Sequence, residues 1–454
     1  MRVQSATTSM SGRSIVIVAA SVALSSACAH DRSPSAPVAA RRASVATQAQ
    51  PSGELRAYVT NRASNEVSVI RVADHVVLAT IPVAEEPQHV TVTPDGRFAY
   101  ITHRLLQFQS GVGVTVLRTI DNSTVATLAQ QAGQSFSTTV ITKDGLYAYL
   151  INGFYSQTNA ASHLQVIRTQ DYAVVSTIDS GPHTMGAFNS TGEFLYVTGG
   201  CVPHSESCVS AIRVADNAIV SRIPASSLPN RIVLTPDDAR AYVSHNGSDV
   251  IAVIRTSDNA VETTFASPSS LGLGMSRDGA RLYVTNHHVA GAVSVIRTAD
   301  HGVEATVGVG DLPAHVEVTP DGSAAYVPNS GSGTVSVIRT ADHAVVATIP
   351  VGGSPGFVAF AFVRSSLDEI DELRDAIGGL LATGGLNGGQ AGALDNHLMN
   401  ALRALERGQT SPAVAQLEAF IMQIQQFVAD GVLTEAEVAP LIAAAKNAIA
   451  GLAA

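Results

Sequence analysis

The sequence predicts an all-β, seven-bladed β-propeller followed by a small all-α helical bundle. Three observations carry that expectation. The eight-residue unit "SVIRTADH" occurs at 294–301 and 336–343, and five diverged copies precede it. Each copy follows a tyrosine (Tyr58, Tyr100, Tyr149, Tyr196, Tyr242, Tyr283, Tyr326), at intervals of 41 to 49 residues, the range of blade-type repeats. After Val363 the β-rich repeats give way to apolar residues at helical spacing.

Taken from the N-terminus, residues 1–29 read as an export signal. Arg2 and Arg13 precede the apolar run Ile15–Leu24, which meets small residues in "SSACAH" and is too short to span a bilayer as a mature helix. Ala27-Cys28-Ala29 fits a small-x-small cleavage site. "LSSAC" resembles a bacterial lipobox that would leave Cys28 lipidated and attach the protein to a membrane, although Leu24 stands one place too far from the cysteine. Both routes stay open. Residues 30–54 are rich in Ser, Ala and Pro and form a linker. The other cysteines, Cys201 and Cys208, are a disulfide candidate in an exported protein, with two free thiols as the alternative.

The propeller is expected over residues 55–364. Each period holds four short β-rich runs, as in "RLYVTN", "AVSVIRT", "GVEATV" and "AHVEVTP", punctuated by "PDG", "KDG" or "RDG" turns. Four strands and no helix per period favour blades over a helical solenoid. Charged residues make up 14% of the chain and hydrophobic ones 46%, which suits a well-buried fold. With a net charge of −10 and Lys143 and Lys446 as its two lysines, the chain offers no clustered positive surface for nucleic acid. A monomer is expected.

The runs "YVTN", "VSVIRTAD", "VVATIPVG" and "HVEVTPDG" resemble the YVTN family of β-propeller repeats of exported and surface proteins. The resemblance implies that the "PDG"-ending run is the innermost strand and the "VVATI" run the outermost. In that order the chain enters at the second strand of a blade and ends with "GFVAFAFV" (356–363), an innermost-type strand. A 1+3 ring closure follows, with one C-terminal strand completing the first blade and leaving no open edge.

Arg71, Arg118, Arg168, Arg213, Arg255, Arg297 and Arg339 recur with an aspartate three residues on. Seven cations could grip an anionic polymer. They end third strands far from the axis, however, so a turn device is expected instead. The Asp would bond nearby backbone N–H groups, and the Asn, His or Tyr after it would take positive φ. The family usually carries an acidic residue where this chain has Arg.

A ligand is expected at the channel mouth on the face where innermost strands start. Repeats two, three and four carry longer loops there, at 103–112, 152–163 and 199–208, with Phe108, Phe154 and Tyr155 as aromatics. His89, His103, His245, His287, His288 and His315 gather on the same face, and Arg231, Thr138, Gly272 and Phe357 take places equivalent to His89 and His315. His89 and His103 are weak metal candidates, because zinc or copper needs three or four ligands and no third is evident. No cofactor is implied: there is no CxxCH and no Trp. The expected function is non-enzymatic binding of a protein or small molecule. The alternative is a lactonase-type channel-mouth hydrolase, which shares the architecture.

Residues 365–454 should form the bundle. Ser366 with Glu369 reads as a capping box before the first helix, and Thr434 with Glu437 opens the last. "LNGGQAGALDNHLMNAL" and "LEAFIMQIQQFVADGVLT" are similar to the FIMAH module of secreted bacterial proteins.

Overall fold

The computed structural model describes residues 53–104, 110–130, 136–153, 163–181, 183–201, 206–246, 248–287 and 290–453. Seven four-stranded antiparallel sheets are the seven blades. Their innermost strands, from blade 1 to blade 7, are Pro355–Val363, Pro87–Val92, Phe136–Ile141, His183–Phe188, Pro229–Leu234, Ser270–Met275 and Glu317–Val318. Second and third strands carry the buried aliphatic core, as in Ala57–Asn61 and Val67–Ile70, whereas outer strands such as Val76–Pro82 are half exposed. The repeat tyrosines lie in the cores between blades, each no more than 3% exposed.

The ring closes as expected. Strand Pro355–Val363 pairs antiparallel with Glu54–Asn61, with Tyr58 opposite Ala359 and Ala57 opposite Phe360. Phe357 N–H also donates to Thr60 Oγ1 at 3.1 Å. Apolar residues of this last strand pack into the cores on both sides of blade 1, which makes the C-terminal strand part of two interfaces.

All seven Arg-x-x-Asp pairs are ion pairs, at 2.7 to 3.5 Å. The residue after each Asp has positive φ, from 53° at Asn259 to 62° at His75. Aspartates such as Asp74, Asp121 and Asp300 also accept from the backbone N–H two residues on. The positive-φ residue has a second role that its place in a turn does not reveal. It reaches the buried tyrosine of the preceding blade: Tyr149 donates to Asn217 Oδ1 at 2.6 Å, Tyr196 to Asn259 Oδ1 at 3.2 Å, and Tyr58 to Asn122 Oδ1 at 3.3 Å. Tyr326 of blade 7 meets His75 of blade 1 at 2.9 Å, carrying the device across the closure. In these four pairs the hairpin turn is also an interblade clasp that satisfies a buried hydroxyl, whereas Tyr242 donates to Thr298 O and the Tyr283 hydroxyl is buried without a partner among the described residues.

Four helices follow: α1 (Ser366–Thr383), α2 (Gly388–Glu406), α3 (Thr410–Ala429) and α4 (Glu435–Ala453). They share one core, with Leu373, Leu394, Leu417, Phe420 and Ile424 fully buried. The first cap differs from expectation by one residue. Ser365 caps α1 and Asp368 returns the bond. Ser366 and Glu369 are displaced from that role because they face inward: Ser366 Oγ donates to Ala448 O at 2.9 Å, and Glu369 pairs with Arg97 of blade 2. Thr434 and Glu437 do cap α4. No helix among the described residues is long and apolar enough to cross a membrane.

Candidate functional site: the axial cavity

Blade geometry brings seven residues to one level of the channel. In each blade, one residue of the innermost region pairs with the last residue of the "YVTN" run: Pro355, Pro87, Phe136, His183, Pro229, Ser270 and Pro313. Two places on, at a shift in the pairing register in six of the blades, stand Phe357, His89, Thr138, Met185, Arg231, Gly272 and His315.

This ring is asymmetric, and its chemistry follows from that. His89 and His315, from the two blades flanking blade 1, lie against Phe357 with ring centroids 4.4 and 4.7 Å away. Arg231 comes from blade 5, on the far side of the axis. It reaches across until its guanidinium carbon is 4.0 Å from the Phe357 ring centre, a cation–π contact. The small Thr138 and Gly272 leave the crossing open. Gly272 has a further reason to lack a side chain, since a Cβ there would stand 2.7 Å from the His315 backbone.

Below this ring lies a cavity of about 650 Å³. The ring's His89, Met185, Arg231 and His315 line one end. The next level is small or apolar at Val140, Ala187, Val233, Gly274 and Ala359, with Glu317 as its carboxylate. Lys143, Ser190, Asp238, Arg277 and Pro320 line the other end, in the turns that leave the innermost strands. The cavity thus extends toward the face opposite the one expected to receive a ligand. Strand direction explains the difference: the polar ring sits near the strand starts, and the space beneath it runs toward the strand ends.

Burial shapes the electrostatics. It draws the Arg231 guanidinium down to about 9, and no carboxylate pairs with Arg231 among the described residues. His89 is held well below the ordinary imidazole value by burial, then by the charges of Arg231 and His315. Burial also lowers His315, with Glu317 pulling the other way from 3.5 Å. Arg231 Nε, His89 Nδ1 and His315 Nδ1 are shut off from solvent without a hydrogen-bond partner.

The other histidines do not join this group. His103 is fully buried inside blade 2, with Nδ1 3.1 Å from Glu85 O and Nε2 2.8 Å from Thr115 Oγ1. It does the work of Asn61, Asn286 and Asn329 in other blades, which donate to Ser68, Ser294 and Ser336. His89 and His103 therefore face different surroundings and do not form a metal pair. His245 and His287 line a separate cavity of about 300 Å³. Among the described residues no group of three His, Cys, Asp or Glu could hold a metal ion. Cys28, Phe108, Phe154, Tyr155 and His288 lie outside the described residues. Sequence reasoning found six of the seven ring positions and missed Met185, whose Sδ lies 3.0 Å from Arg231 Nη1. Counting two places from the residue opposite each "YVTN" end would have found it.

Residues 370–450 match the FIMAH domain. No curated protein matches the chain. Among solved structures, the propeller is similar to a periplasmic gluconolactonase of Pseudomonas aeruginosa, at 18% identity and a TM-score of 0.55, covering 68% of this chain and 100% of that one. It is similar to a hydrazine synthase chain of Kuenenia stuttgartiensis, at 21% identity and 0.54, covering 63% and 92%. A putative 6-phosphogluconolactonase from Bacteroides fragilis aligns at 16% and 0.53, covering 68% and 99%. At these identities the likeness is one of fold.

Proposed function

We propose that this chain is an exported, non-enzymatic binding propeller that takes a small ligand into its axial cavity. The observation that supports this is the asymmetric ring at the cavity's end. Seven near-identical blades would place seven similar residues there, yet the positions hold Phe357, two histidines and an unpaired arginine. A structural plug needs none of that polarity, because unsatisfied buried polar atoms destabilise a fold. Export, with or without acylation of Cys28, is supported by the N-terminal pattern and suits a chain ending in a FIMAH domain.

The competing reading is lactone hydrolysis, and one contact favours it. His315 with Glu317 at 3.5 Å, inside the cavity, has the form of an acid–base pair. A set of aldonolactones, incubated with purified full-length protein, separates the two. Binding detected by ligand-observed NMR without turnover supports the binding reading. Turnover abolished by Glu317→Gln would replace it with the hydrolase.

A further inference from the structure

We propose that the ligand of the axial cavity is a small organic carboxylate, held by its charged end against Arg231 and by its apolar body along the wall below. The proposal rests on the cavity reading above and specifies its chemistry.

Charge is the first argument. Arg231, His89 and His315 converge on one phenyl ring, and the charge of Arg231 adds to burial in favouring the neutral form of both imidazoles, which leaves Arg231 as the cation of the ring. Arg231 forms no ion pair among the described residues, and the one nearby carboxylate, Glu317, is paired with His315. Arg231 is partly withdrawn from water and has no counter-ion, so an anion arriving at this spot would pair a cation that the fold leaves uncompensated. The cation–π contact with Phe357 fixes the guanidinium plane but neutralises no charge.

Hydrogen bonding is the second argument. Arg231 Nε is buried and unpartnered, and a guanidinium presents its donors in a planar fork that matches a carboxylate. Unpartnered Nδ1 atoms of His89 and His315 lie in the same ring of residues. A neutral ligand would leave the arginine uncompensated.

Shape selects an organic acid over a bare inorganic oxyanion. Beneath the ring, Val140, Ala187, Val233 and Ala359 line a cavity of about 650 Å³, room for an apolar body of many atoms. An inorganic ion would fill only the polar end.

Benzoate, benzamide and phosphate test this on the full chain, by isothermal titration at constant ionic strength. Benzoate should bind saturably. Arg231→Thr, which installs the residue blade 3 carries at Thr138, should weaken benzoate roughly tenfold or more, with Arg231→Lys between the two. Melting curves of both variants check that the propeller is intact, and removal of an uncompensated charge should leave them no less stable. Competition of phosphate with benzoate supports the anion site. Benzamide binding as tightly as benzoate, with no loss in Arg231→Thr, would overturn the charge assignment while the cavity reading stands. Phosphate binding without benzoate would overturn the organic acid. Binding by none of the three would overturn the carboxylate proposal, leaving the cavity reading to the aldonolactone experiment.

Discussion

Arg97 and Glu369, 272 positions apart, form a two-pronged ion pair between blade 2 and helix α1, with Nη2–Oε2 at 2.6 Å and Nε–Oε1 at 3.2 Å. Glu369 is 2% exposed and Arg97 11%, so the pair is largely withdrawn from water. Glu372 adds a second carboxylate at 2.9 Å. Beside it Ile120, in the Arg-x-x-Asp turn of blade 2, packs against α4 so closely that a Cβ on Gly451 would stand 2.5 Å from it. The helical module is docked on the propeller, on the face toward which the axial cavity runs.

Arg97→Ala should therefore undock the module. It strands Glu369 in the interface, a change that typically costs about 3–5 kcal/mol. Calorimetry should show the single transition splitting in two, one for the helices and one for the blades. An unchanged single transition would mean that apolar contacts such as Ile120 hold the module without the ion pair.

Ring closure predicts an asymmetry between two truncations. A chain ending at Gly353 lacks the strand that supplies Phe357, Val358, Ala361 and Val363 to the blade 1 interfaces, and should lose cooperative melting of the whole propeller. A chain ending at Ser366 keeps that strand and should lose only the helices. Equal melting temperatures and cooperativity would refute the closure as a source of stability.

His103 makes stability depend on pH. Burial lowers its pKa to about 4, below the ordinary value near 6.5, because the folded protein favours the neutral ring. The unfolded chain then binds more protons between those values. The contribution is complete above about pH 6.5 and is lost as pH falls toward 4, on the order of 3 kcal/mol over the window. His103→Asn restores the residue used by Asn61, Asn286 and Asn329 and should flatten that part of the profile. Urea titrations at pH 7.5 and 4.5 give the comparison. An identical pH dependence in both proteins would exclude His103 as its source.

Cys201 and Cys208 should be bonded. Cys208 is 1% exposed on the third strand of blade 4, opposite Gly199, and Cys201 stands two places further along the partner strand, opposite Glu206. The two cysteines thus sit on adjoining strands of one hairpin, and an exported chain would meet an oxidising compartment. Alkylation of unreduced protein followed by mass spectrometry should modify neither thiol.

Much of the fold was legible because a propeller repeats local rules. The "PDG" turns, the alternating strands and the Arg-x-x-Asp hairpin each depend on residues a few places apart, and seven copies made the pattern unmistakable. Departures from the pattern were harder to read. Ile120 stands where other repeats have Ala, Ser or Gln, and Arg97 where they have Leu, Glu, Ala or Ser. Both are explained by the helices that cover them, and nothing in their own repeat announces it. The histidines misled for a related reason. His89 and His103 are near in register, yet one faces the channel and the other its own blade, a difference that a shift in pairing between Pro87 and His89 introduces.

By itself, the sequence determined the blade count, the positive-φ turn residues and the helical end, because each is set by short-range periodicity and backbone preference, whereas the closing strand followed from the strand order that the family resemblance implies. Tertiary structure alone decided the site. Arg231 meets Phe357 only because seven blades bend the chain into a ring and bring blade 5 across the axis from blade 1. Thr138 and Gly272 matter there as space, not as partners. Whether an arginine is paired or stranded depends on what the closed ring places within a few ångströms of it, and no local pattern carries that distance.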